Sequence, residues 1–236
     1  MKPELPNVLL APSRWLLLSE ARMGLDLARG LLSSTRKLPK GHGPVLVIPG
    51  FQASDFETLL LRRKLSQLGY TVYGWGLGRN HGKTGKLLPK LVEQVRALHA
   101  RHALRVKIVG WSLGGVLARD VAREAPEAVE QIITLGSPIA GGPKYTVFAN
   151  LYRKQGLNID QLALSADARE AKRPLPCPVT AIYAKRDGIV AWHSCIERHH
   201  AGVSHLETSA THFGMPFHPQ TLRMIAEALA TTAPRG

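Results

Sequence analysis

An α/β chain with a mostly parallel central sheet and helices on both faces is predicted by three observations. Short, wholly apolar runs recur along the 236 residues, as strands buried on both faces of a parallel sheet require. Between them lie longer segments whose apolar residues fall at three- and four-residue steps, the period of a helix packed along one side. Finally, the apolar run 106–111 passes through Gly110-Trp111-Ser112-Leu113-Gly114-Gly115 straight into a helical pattern, the strand-to-helix junction in which a serine can stand in a sharp, strained turn. With 44% hydrophobic residues, a chain of this length can bury one large core in one main domain.

The elements follow in order. Residues 13–32 place Leu18, Ala21, Leu25, Ala28 and Leu32 at alternating three- and four-residue steps, which predicts an amphipathic helix. It has two readings: a face packed on the main fold, or an interfacial helix whose Arg14, Arg22 and Arg29 touch anionic lipid. Residues 37–44, with two prolines and two glycines, are the connection. Residues 1–43 are thus an N-terminal helix and connection, and 44–236 the main domain.

Residues 45–48 are the first core strand and end in Pro49-Gly50-Phe51. The capping-box pattern Ser54-Asp55-Phe56-Glu57 opens a helix to about Leu68, and residues 70–73 form the next strand. The glycine-rich loop 74–84 fits neither nucleotide motif. A dinucleotide fingerprint needs glycine at Arg79, and a phosphate loop ending in Gly82-Lys83-Thr84 needs its first glycine at Leu77. It is read as a loop at the carboxyl end of a strand, where open α/β sheets bind ligands.

Leu87, Leu88, Leu91, Val92, Val95 and Leu98 mark a helix with Pro89 in its first turn. The elbow strand follows, its helix runs to Pro126, and strand 131–135 closes at Gly136-Ser137-Pro138. From 139 to 176 the alternation breaks into a mixed stretch, read as a cap. Strands 179–183 and 203–208 and a closing helix 219–230 with proline in its first turn complete the chain. There is no internal repeat.

Net charge is +14, from 31 Lys and Arg against 17 Asp and Glu. Such a field favours anionic surfaces, but no aromatic-interleaved or zinc-type motif accompanies it, so no specific nucleic-acid partner is expected. Cys177 and Cys195 have no metal or redox spacing, leaving ordinary thiols or one disulfide. The apolar run 8–11 stops at Pro12, too short for a signal peptide, and no uncharged stretch reaches transmembrane length. The expectation is a cytoplasmic protein, free or peripheral to a membrane.

The ordered set Gly110-Trp111-Ser112-Leu113-Gly114-Gly115, Thr134-Leu135-Gly136-Ser137-Pro138, Arg186-Asp187-Gly188-Ile189-Val190 and Thr211-His212-Phe213-Gly214 resembles the α/β-hydrolase superfamily from residue 44 onward, and more narrowly a compact bacterial lipase or esterase. The His-Gly familiar before the oxyanion residue in that family is Pro49-Gly50 here. The resemblance implies a serine nucleophile, an acid and a histidine, in that chain order.

A serine hydroxyl needs a base to attack an ester, and a histidine serves best when a carboxylate fixes its tautomer. Ser112 is the nucleophile. Asp187, after a strand and before Gly188, is the acid. Of the ten histidines, His42, His81, His99 and His102 precede Ser112 and break the order. His193, His199 and His200 follow Asp187 too soon and read as surface, with a metal cluster as a minor alternative. His205 lies within a strand, and His218 caps the last helix. His212, in the loop beyond the last strand, is the base.

The elbow supplies Leu113 N–H to the oxyanion, and the resemblance assigns the second donor to Phe51. Trp111 beside the serine and Tyr145, Phe148, Leu151 and Tyr152 in the cap are the candidate substrate contacts. The expected activity is hydrolysis of small carboxylic esters or lipids of short to medium acyl length, with no metal or organic cofactor. Thioesterase or acyltransferase activity on the same triad, or a non-catalytic scaffold binding anionic surfaces, are the alternatives.

Overall fold

Six strands pair as one all-parallel sheet in the computed structural model, which describes residues 3–4, 10–154 and 156–231. The expectation for run 8–11 falls partly outside them. The strands are β1 (Pro44–Ile48), β2 (Thr71–Gly74), β3 (Val106–Trp111), β4 (Val129–Leu135), β5 (Val179–Tyr183) and β6 (Val203–Glu207), in the order β2-β1-β3-β4-β5-β6. Because all run the same way, their carboxyl ends meet at one edge, and Phe51, Ser112, Leu113, Asp187 and His212 lie there or just beyond.

Alternation along each strand divides the core in two. Val45 and Val47 of β1, Val109 and Trp111 of β3, and Ile133 and Leu135 of β4 face a cluster that includes Leu61 and Leu65 from α3 (Leu59–Gln67) and Leu222 and Ile225 from α8 (Pro219–Ala230). Leu46, Ile48, Ile108 and Ile132 face the other way, onto Leu91 and Val95 of α4 (Thr84–His102) and Leu117 and Val121 of α5 (Leu113–Glu124). Both faces of the central strands are therefore covered, which is why β1 can be apolar at every position.

Several local expectations need adjustment. The Ser54 N–H donates to Glu57 at 2.8 Å, which is half of the expected capping box, but the helix begins only at Leu59 after a run of turns. Helix α4 begins at Thr84, so Pro89 sits inside it and not in its first turn. His218 does cap α8, its Nδ1 accepting from the Gln220 N–H at 3.2 Å. Cys177 and Cys195 are both free thiols, which removes the disulfide alternative.

The N-terminal segment departs most. It is not one helix but α1 (Arg14–Ser19) and α2 (Met23–Leu32), joined by a 3-10 turn at Glu20–Arg22. Its apolar stripe does not pack: Leu18, Leu25 and Leu32 are exposed, whereas Glu20, Asp26 and Gly30 are buried. The reason is polar and long-range, since both carboxylates serve as acceptors for backbone around the acid and the histidine.

Residues 139–176 fold as a 3-10 turn (Gly142–Tyr145), α6 (Ala149–Lys154) and α7 (Ile159–Lys172). A buried ion cluster ties this stretch to the elbow helix. Arg119 of α5, fully buried, meets Glu170 of α7 at 2.5 Å and also contacts Glu197, and Arg123 contacts Glu170 and lies 3.3 Å from Asp120.

Candidate active site

The site begins with a turn that only small residues can make. Ser112 has φ +54°, in the left-handed region, and its N–H is fixed by the Leu135 carbonyl at 2.7 Å. Holding a serine there costs strain that the surroundings must over-determine. They do so by contact: a Cβ on Gly114 would stand 2.2 Å from the Ile48 carbonyl oxygen, one on Gly110 2.5 Å from backbone of Gly114 and Gly115, and one on Gly115 2.0 Å from Ser137 Oγ. The turn and the start of α5 are pressed between β1 and the loop after β4.

Asp187 and His212 come from the ends of neighbouring strands. Asp187 lies four residues beyond β5 and His212 five beyond β6, and Asp187 Oδ2 is 2.7 Å from His212 Nδ1, both side chains buried. The second oxygen, Oδ1, accepts from the N–H groups of Ile189 and Val190 at 2.8 and 2.7 Å. That arrangement locks the carboxylate in one rotamer and points His212 Nε2 away from it. Trp111 Nε1 donates to the His212 carbonyl at 3.1 Å, so the residue before Ser112 holds the loop of His212. Among the described residues no hydrogen bond joins Ser112 Oγ to His212. Such contacts commonly tighten only when substrate is bound.

Ser112, Leu113 and Phe51 line one cavity of about 380 Å³. Neither Phe51 N–H nor Leu113 N–H is taken by an acceptor among the described residues, as donors reserved for an incoming oxygen must be. The Phe51 loop is braced by a residue the sequence reading passed over. Asn80, fully buried, donates from Nδ2 to the Pro49 carbonyl at 3.0 Å, while its own N–H donates to the Ala53 carbonyl at 2.8 Å and its carbonyl accepts from Gln52 N–H at 2.7 Å. The glycine-rich loop thus reaches the site as expected, with Gly82 and Thr84 on the cavity wall, but its buried asparagine carries the order. Gly136 is a second missed residue: a Cβ there would lie 3.0 Å from His212 Nδ1 and 3.1 Å from Asp187 Oδ2.

The expected substrate contacts divide. Phe148 and Tyr152 line the cavity, and their rings pack on Phe51 with centroids 5.3 and 6.2 Å apart. Trp111, Tyr145 and Leu151 do not line it. Trp111 is turned into the sheet core, Tyr145 packs on His193 at 5.1 Å, and Leu151 is 41% exposed on the outer side of α6. Residues of 139–176, including Thr146, Leu157, Leu162 and Arg169, form much of the wall.

The other histidines sort by environment. His205 stands in β6, accepting from the Glu197 N–H at 3.0 Å. His193, read as surface from the sequence, is buried, with Nε2 2.8 Å from the Leu10 carbonyl, and burial lowers its pKa. His200 gathers with Glu170 and Glu197 in a metal-like spacing. Those carboxylates already serve Arg119 and Arg123, so the cations of this cluster are guanidinium groups.

No protein-family model matches the chain. It is 29% identical over 100 residues to ethanol acetyltransferase 1 of Cyberlindnera fabianii, covering 40% of this chain and 30% of that protein. It is 26% identical over 159 residues to a probable alcohol acetyltransferase of Wickerhamomyces anomalus, covering 64% and 46% respectively. The chain therefore matches less than half the length of either relative. Among solved structures, the mature form of a Bacillus licheniformis lipase superposes with a TM-score of 0.64 at 14% identity, covering 84% of this chain and 96% of that one.

Proposed function

This chain has the α/β-hydrolase fold, and from that premise we propose that it is a serine enzyme cleaving carboxylic esters of short to medium acyl length through an acyl-enzyme. The observation that carries the reading is the buried Asp187–His212 pair at 2.7 Å, set at the sheet edge where the strained Ser112 opens into the cavity.

In this reading His212 Nε2 takes the Ser112 proton as Oγ bonds to the substrate's carbonyl carbon. Asp187 keeps the Nδ1 proton and stabilises the imidazolium. The carbonyl oxygen, now anionic, is held by Phe51 and Leu113 N–H, each worth about 3 to 4 kcal/mol in the transition state. Collapse breaks the bond to the leaving alkoxy oxygen, which departs as the alcohol with the proton from His212. Water, deprotonated by the same histidine, then releases the acid.

A second reading is favoured by the likeness to two proteins named as acetyltransferases: an alcohol replaces water in the second half, and the product is a new ester. Nothing in the triad chooses between the two acceptors, because His212 can deprotonate either.

A fluorophosphonate probe tests the nucleophile by labelling Ser112 in the native chain and not in Ser112→Ala. A panel of p-nitrophenyl esters of rising chain length, run with and without added ethanol, then separates the acceptors, since transfer yields the ethyl ester in excess of free acid. No labelling and no turnover across the panel would leave only the non-catalytic scaffold.

A further inference from the structure

The N-terminal helices are amphipathic in the inverted sense. Nine of the fourteen large apolar residues exposed among those described fall within residues 10–32. Trp15 is 81% exposed and Leu18 66% on α1, and Leu25 57% and Leu32 88% on α2, each pair at a separation, three or seven residues, that keeps both side chains on one side of its helix. Leaving such side chains in water forfeits the free energy that burying them would release, so the rotation of these helices must be imposed from the other side.

The imposing contacts are polar. Glu20 Oε1 accepts from the N–H groups of Gly188 and His212 at 2.9 and 3.0 Å, and its Oε2 from Phe213 N–H at 3.0 Å. Asp26 Oδ2 accepts from the Thr211 N–H and hydroxyl at 3.1 and 3.0 Å. Gly30 lies so close to the Phe217 carbonyl that a Cβ would stand 2.2 Å from it. Rotating the helices to bury the leucines would break all of these.

The same contacts decide the charge of the outer face. Glu20 and Asp26 are the only acidic residues in 10–32 and both are turned inward, whereas Arg22 and Arg29 are exposed beside the leucines. Arg36, Lys37 and Lys40 continue the exposed cationic run. Residues 10–32 therefore offer apolar side chains and positive charge, and among their described residues no exposed acidic group. A second copy of the chain would bring those positive charges against each other. An anionic bilayer complements both features, taking the apolar side chains at the boundary of headgroups and acyl chains and the cations at its surface.

We propose that residues 10–32 are a docking surface for anionic lipid membranes. The surface holds the chain at the bilayer through Trp15, Leu18 and Leu25 and selects anionic lipid through Arg22 and Arg29. The proposal does not depend on Ser112 chemistry.

The test is sedimentation of the full chain with vesicles of phosphatidylglycerol and phosphatidylcholine, and with phosphatidylcholine alone. Binding to the anionic vesicles is expected, weakening as salt rises, with a blue shift of tryptophan emission as Trp15 leaves water. The triple variant Trp15→Ser, Leu18→Ser, Leu25→Ser, altered only at residues in contact with solvent, keeps the fold by circular dichroism and lowers binding about tenfold or more. Arg22→Glu with Arg29→Glu does the same on anionic vesicles, again by about tenfold or more. No vesicle binding by the native chain, or binding that survives both variants, overturns the proposal. So does self-association of the native chain, abolished by the triple variant, without vesicle binding, which would make the face a contact between copies.

Discussion

The backbone N–H of His212 donates to Glu20 Oε1 at 3.0 Å, joining residues 192 apart in sequence. The same carboxylate reaches the N–H of Gly188, next to Asp187, and that of Phe213. One side chain from the 3-10 turn between the N-terminal helices therefore sets the relative position of the two loops that carry Asp187 and His212.

Glu20→Ala should accordingly lower kcat more than it raises KM, because it loosens the base without touching the cavity wall. Three backbone donors lose their acceptor, at about 1 to 3 kcal/mol for each that stays buried and unpaired. Glu20→Gln keeps an acceptor oxygen and should recover much of the loss. Equal kcat in all three proteins, measured on one ester, would show that the clamp is structural only.

Ser112→Ala, Asp187→Ala and His212→Ala should each reduce turnover about 10⁴- to 10⁶-fold, and the double variants should be little worse than the worst single, since the three groups act as a unit. Asp187→Ala is the discriminating case. Near-normal turnover there would mean that the 2.7 Å pair has no part in the chemistry.

How much of this was legible depends on the range of the signal. The six strands and the strand-to-helix turn at Ser112 are written in local patterns, and the strands fall within two residues of their expected bounds. The N-terminal helices are not legible in that way. Periodicity assigns their apolar face to the core, but the partners of Glu20 and Asp26 are backbone N–H groups near the far end of the chain, and backbone has no sequence signature. Asn80 and Gly136 share that difficulty. A lone buried asparagine in a glycine-rich loop, or a glycine after a strand, announces itself only when the group it braces is nearby. The cap residues divide for another reason: helix-like steps say which side chains share a face, not which way that face turns, so Phe148 and Tyr152 line the cavity and Tyr145 and Leu151 do not.

Asn80→Ala should impair oxyanion stabilisation. It removes the donor to the Pro49 carbonyl and the acceptor for Gly82 N–H, at 3.0 and 3.1 Å, in the loop that presents Phe51. A loss of about 10²-fold in kcat is expected, within the range seen when one oxyanion donor is lost. A variant with native kcat and only a lower melting temperature would assign Asn80 to stability alone.

The Arg119 cluster predicts an acid-sensitive fold. Burial by itself raises the Glu170 and Glu197 carboxyls, but hydrogen bonds and charge from Arg123 and Arg119 outweigh it, and both end below the ordinary glutamate value of 4.5. A carboxyl depressed in the folded state stabilises above its unfolded pKa, and that stability is lost as pH falls through the folded one. Asp120 shifts upward with burial and offsets part of the gain. Urea denaturation should thus show stability declining progressively below about pH 4.5. Glu170→Ala should cost about 3 to 5 kcal/mol by leaving two buried guanidinium groups short of a partner, and should flatten that acid limb.

Acyl length should be set by Phe148 and Tyr152. Their rings lean on Phe51 at 5.3 and 6.2 Å, whose N–H is the proposed oxyanion donor, so they bound the cavity close to the reacting carbon. A cavity of about 380 Å³ is at the small end of ligand sites and suits short to medium chains. Phe148→Ala should enlarge it and move the optimum of the p-nitrophenyl ester series to longer acyl groups, with KM for the longer esters falling. Leu151→Ala is the internal control, because that side chain is exposed and lies off the wall. It should leave the profile where it was. If the two variants shift the profile alike, the acyl chain does not lie against Phe148, and the pocket is bounded elsewhere along 139–176.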